Sequence, residues 1–265
     1  MIDKEYIDDS AKFEKQLIDI CFGDIVPMEI EDKIIFQIYN SLINSLKSIS
    51  ALENNQLFDS AKIIVRSLFE QSLYMLYITE QNDNKSAKIR SRAFLEYRIA
   101  KDIQNTFQAF ESGKVYKILP NELEKETLEK YAYKYGNCNS LKDLYLKAAI
   151  QYRQLFSNQC LKGIPNWYRI ENGPRDMRKL AKRFHMETEY VVAYKYYSDL
   201  VHGSQVFNKM SNNDDTSTVI VNNLSAHMMG AVQASLLEYY GLLNAPYESL
   251  WKLFEKMIKS QVKGE

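Results

Sequence analysis

The sequence predicts an all-α protein, a single-domain helical bundle with further helices at its N- and C-terminal ends. Apolar residues recur at helical spacing through nearly the whole chain. Only nine glycines and five prolines punctuate 265 residues, and the prolines fall where helices would begin. No linker rich in Gly, Ser or Pro and no repeat of fixed period divides the chain. Residues 1–265 therefore read as one domain, with C-terminal helices over about 222–262.

A first helix is predicted near 3–20, and a second near 29–54 follows Pro27. The third, near 56–80, is bounded by ENNQ and QNDN. A long amphipathic helix runs from about 84 to 112 and stops at Gly113. Pro120 opens the next, which Gly136 ends, and Asn139 or Ser140 caps another through about 160. After GIPNWYRIENGP, a short helix from Pro174 to about His185 leads into one ending at His202. The last two lie near 222–243 and 246–262. Between them and His202, the polar stretch 203–223 reads as a long loop in which TVIV would be a short strand.

Composition narrows the function. Basic and acidic side chains balance at 34 each, so no global field draws the chain to nucleic acid or to an anionic membrane. Three scattered cysteines without a CxxC pair argue against a disulfide framework and a zinc site, and point to a reducing cytoplasm. The charged N-terminus has no signal-peptide core, and no apolar run reaches a membrane span. A soluble cytoplasmic protein without a membrane partner is expected. No glycine-rich phosphate loop, GxSxG elbow or HExxH motif is present, so no metal or other cofactor is expected.

The third helix is apolar nearly all round. Phe58, Ala61, Ile64, Val65, Leu68, Phe69, Met75 and Leu76 share its core side, while Arg66 and Glu70 sit four residues apart among Ile63, Tyr74 and Tyr77. Such a pair is either an internal ion pair or a guanidinium set to hold a phosphate or carboxylate. In ETEYVVAYKYYSDLVHG, Tyr190, Ala193, Tyr197, Leu200 and Val201 form a packing stripe, and Tyr194, Ser198 and His202 a polar stripe beside it. His202 is either a helix-ending cation facing the C-terminal dipole or an acid–base imidazole supported by two hydroxyls. Two basic segments, 85–101 with Phe94 and Tyr97 interleaved and 175–183 with Arg178, read as solvated helix faces or as an RNA-binding surface. Trp167 and Tyr168, after Pro165, read as a plug for the bundle end.

RSLFE in an early apolar helix, then NW, then LAKRFHMETEYVVAYKYYSDLVHGS resembles the bacterial family designated domain of unknown function 5677. The resemblance covers approximately Asp59 to Ser204 and rests on Arg66, Glu70, Trp167, Tyr190, Tyr194, Ser198 and His202. It implies a helical fold with a family-like core over about 56–204, and no defined reaction. More distantly, such proteins resemble the HEPN group of helical bundles, many of which are RNA-cleaving toxins or defence effectors that use Arg and His. That group's Arg-x(4 to 6)-His run is missing upstream of His202, whereas Arg178 and His185 have its spacing.

The favoured expectation is an RNA-binding or RNA-cleaving HEPN-like effector in phage defence or stress, with no metal requirement. Arg66 would steady a phosphate, Glu70 would orient Arg66, and His202 would serve as acid or base; Tyr194, Ser198, Trp167 and Arg178 would support binding. The alternatives are a non-catalytic interaction module that forms a homodimer through an exposed helix face, or a sensor with a small ligand in a tyrosine-lined cavity.

Overall fold

The structure, a computed structural model, describes residues 2–23, 25–80, 84–113, 122–156, 163–197, 214–243 and 247–262. Its regular elements are helices, and no strand occurs among the described residues. They fall into two compact units, one built from the chain up to Lys88 together with Asp176 onward, the other from Ile89–Arg175.

In the first unit, α1 (Lys4–Cys21) begins where the Asp3 carboxylate accepts a hydrogen bond from Tyr6 N at 2.7 Å. Helix α2 (Ile30–Asn54) starts with a reciprocal capping box between Glu29 and Asp32. Helix α3 (Phe58–Thr79) packs against α2 on one side and α9 (Asp214–Tyr239) on another, while α1 rests on α2 and α10 (Glu248–Val262). This central position accounts for the composition of α3: Ala61, Val65, Leu68, Phe69, Leu73 and Met75 are all fully buried. Beneath them a polar chain crosses the core, in which Gln233 donates to the Tyr39 hydroxyl at 2.9 Å and that hydroxyl donates to Ser10 O at 3.2 Å.

Short α7 (Met177–Arg183) is capped by Asp176, whose carboxylate accepts from Lys179 N. It docks on α3 through Arg183, which hydrogen-bonds Glu80 and lies 5.6 Å from the Tyr77 ring centroid. His185, at φ +56°, ends α7. One α turn, Glu187–Glu189 (α8), then passes into a wider π segment, Tyr190–Tyr196, in which Tyr197 N donates to Val192 O five residues back.

The second unit holds α4 (Asn84–Gly113) from Ile89 onward, α5 (Glu122–Tyr135) and α6 (Leu141–Arg153). Gly136, at φ +69°, turns the chain after α5, and the Ser140 hydroxyl caps α6 by accepting from Asp143 N. Ile103, Tyr131, Leu141, Leu144 and Ala148 form a core there. The 3-10 turn Trp167–Asn172 belongs to the same unit.

Two expectations need correction. Thr218–Val221 is helical rather than a strand, and the expected loop gives way to α9 already at Asp214. Val221, Ser225, Met228, Met229 and Val232 are buried at helical spacing, so packing overrides the weak β preference of TVIV. Asn222 anchors this turn, donating to Thr218 O at 2.8 Å and to Glu53 Oε1 at 3.3 Å and accepting from Ile2 N. Helix α6 also ends at Arg153 instead of near 160, because Leu155 N and Phe156 N bond only three residues back, to Tyr152 O and Arg153 O.

Candidate functional site

The site is built where the π segment crosses α3. Phe69, fully buried on α3, meets the rings of Tyr190 and Tyr194 at centroid separations of 6.4 and 6.5 Å. Those two tyrosines stack on each other at 5.3 Å and 18°. One turn before Phe69, the Arg66 guanidinium carbon lies 4.8 Å from the Tyr194 ring centroid, and its Nε stands 3.4 Å from Glu70 Oε1. The side chains of Arg66 and Glu70 are 27% and 30% exposed, so the pair lies at the boundary of the core and solvent can reach it.

Electrostatics at this boundary are uneven. Burial pushes the Glu70 carboxyl above its ordinary range, against the opposing pull of Arg66. The Arg66 guanidinium, partly exposed beside this carboxyl, has N–H groups with which it can hold a further anion. Tyr190 is also raised, first by burial, with contributions from Tyr194 and Asp176 and an opposing one from Arg178. Arg178 itself is exposed on α7. Tyr190, Tyr194, Arg66 and Glu70 are thus linked in order by ring stacking, a cation–π contact and an ion pair. Buried Tyr197 has its hydroxyl pushed up to about 12 and serves packing, as does fully buried Ala193.

Of the residues singled out in the sequence, Arg66, Glu70, Tyr190 and Tyr194 come together here. Ser198 and His202 lie outside the described residues. Trp167 is fully buried in the second unit, edge-on to Phe94 at 5.2 Å and to Tyr168 at 6.0 Å. In that unit the aromatics of the 85–101 segment pack inward, Tyr97 against Tyr152 at 5.9 Å, and buried Arg90 pairs with Glu171 at 3.5 Å. The sequence reading missed the π geometry, and it missed His227, whose Nδ1 lies 2.8 Å from Oε1 of buried Glu189.

Residues 32–217 match the family of unknown function DUF5677. The chain belongs to this family. The DUF5677 match begins in the first turn of α2 and ends in the first turn of α9, so it takes in all of α3 and the π segment and extends beyond the stretch from Asp59 to Ser204. Neither a curated protein nor a solved structure matches this DUF5677 chain. Among the described residues no three His, Cys, Asp or Glu side chains converge to hold a metal ion, and no helix is long and apolar enough to cross a membrane.

Proposed function

We propose that the protein binds single-stranded RNA on the Arg66 face and cleaves it without a metal ion, as a HEPN-like effector of defence or stress. The observation that carries this reading is the placement of Arg66: a partly exposed guanidinium fixed between a carboxylate and the ring of Tyr194. Planar Arg suits phosphate, and stacked aromatic rings beside it suit unpaired bases. Arg178, exposed on α7, would add a second phosphate contact.

In this proposal Glu70 orients Arg66, and Tyr194 and Ser198 support the site. The ribose 2′-hydroxyl oxygen loses its proton and bonds to phosphorus, and the bond from phosphorus to the 5′-oxygen breaks as that oxygen gains a proton; His202 moves the proton at one of these two oxygens and solvent water exchanges it at the other. The product would carry a 2′,3′-cyclic phosphate. Incubating purified protein with total cellular RNA tests this, alongside Arg66→Ala and His202→Ala variants whose melting temperatures are measured. Cleavage lost in both folded variants supports the proposal; cleavage unchanged in either, or absent from the wild type, refutes the catalytic role.

A second reading is favoured by the i,i+4 spacing of Arg66 and Glu70, which by itself makes a local ion pair. Here the same residues are a polar clasp in a non-catalytic module that dimerises through an exposed helix face. Loss of stability in both variants, with no RNA cleaved or bound by the wild type, supports that reading.

A further inference from the structure

A pocket that shares no residue with the Arg66 face opens at the first turn of α2 and has a volume of about 350 Å³. Acidic residues are ordinary at such a position, because the helix dipole and the orphan N–H groups favour them. Two of the three acids here are explained that way. Glu29 belongs to the capping box, and its other contact is with Lys88 at 3.4 Å on the surface. Asp32 uses both carboxylate oxygens, accepting from Glu29 N at 3.0 Å and from the Tyr240 hydroxyl at 3.0 Å.

Glu31 is different. It is only 5% exposed, lines the pocket, and its Oε2 has no hydrogen-bond partner among the described residues. A buried carboxylate oxygen without a donor is costly, and an exposed position one residue away would serve the dipole equally well. Among the described residues, the lining of the pocket includes no Lys, Arg or His to balance it.

The rest of the lining indicates what does. Tyr240 stacks on Phe36 at 6.0 Å and meets Phe22 and Tyr239 edge-on at 5.8 and 4.9 Å, which makes a fixed aromatic wall. Tyr247, 40% exposed, stands at the rim. A small hard metal ion is poorly served, because Asp32 is committed to its two donors and no three acidic, His or Cys side chains converge here among the described residues. An alkylammonium would place N–H donors on Glu31 and its positive charge and methylenes against the rings. The volume lies at the small end of the range for organic ligands.

We infer that this pocket binds a primary alkylammonium group, carried either by a free aliphatic diamine or by the lysine side chain of another protein. Calorimetric titration of the full chain, with no RNA present, decides this. Putrescine represents the free amine, N-acetyl-lysine methylamide the protein side chain, and magnesium the metal alternative. Saturable binding of one equivalent of either amine, weakened about tenfold or more in Glu31→Gln, supports the inference. The tighter of the two amines identifies the source. No saturable amine binding, equal affinity in Glu31→Gln, or displacement of the amine by equimolar magnesium overturns it. If Glu31→Gln does not fold, Tyr247→Ala at the exposed rim gives the answer: weakened amine binding supports the site and unchanged affinity overturns it.

Discussion

Arg66 and Tyr194, 128 positions apart in sequence, form a cation–π pair at 4.8 Å on a helix crossing whose centre is fully buried Phe69. The pair is predicted to be energetically coupled. A double-mutant cycle with Arg66→Gln and Tyr194→Leu should give a coupling of about 0.5–1 kcal/mol in denaturant unfolding. Purely additive effects would show that the contact contributes nothing.

Glu14 carries the clearest pH signature. It is buried, accepts from Asn40 at 3.1 Å, and burial raises its carboxyl from an ordinary 4.5 to about 7, with Lys47 opposing. The folded state therefore binds this proton more tightly than the unfolded chain does. Stability from protonated Glu14 is fully present below pH 4.5 and is lost as pH rises through about 7. Glu14→Gln should stabilise the protein at pH 8 by an amount on the order of 3 kcal/mol and change little at pH 4. Parallel stability profiles for the two proteins would disprove this.

The core polar chain is predicted to matter through what its loss leaves behind. Tyr39→Phe removes the acceptor that Gln233 uses and should cost about 1–3 kcal/mol in unfolding experiments. Replacing Gln233 by Leu in the same protein should recover part of that loss. A larger loss in the double variant would contradict the account.

Reading residues 1–265 as one domain predicts a single cooperative transition in calorimetry, with equal calorimetric and van't Hoff enthalpies. Two separate transitions would make the two compact units independent domains.

The helical architecture was legible because its signals are local. Helical periodicity, the Ser140 cap and Gly136 mark boundaries that need no tertiary information. In α9, Val221 continues the buried spacing of Ser225, Met228 and Met229, but exposed Val219 and Ile220 gave TVIV the look of a strand. Arg66 and Glu70 were legible as charges set in an apolar helix. Their meeting with Tyr194 was not, because it depends on how α3 crosses the π segment and on a departure from α geometry that no capping residue or proline announces. The alkylammonium pocket was less legible still. Glu31 looks like any acid in a first helical turn until its burial and the distant Tyr239, Tyr240 and Tyr247 are seen together.

The most direct test of the central claim, that the Arg66 face holds RNA, is the fluorescence anisotropy of a labelled single-stranded RNA titrated with wild type, Arg66→Lys and Tyr194→Leu, each with its melting temperature measured. The account predicts salt-dependent binding by the wild type and weakening in both folded variants, by about 1–3 kcal/mol for loss of the stacking ring. Arg66→Lys should lose affinity despite keeping its charge, since a planar guanidinium is what the site positions. No RNA binding by the wild type, or equal affinity in all three proteins, would contradict it.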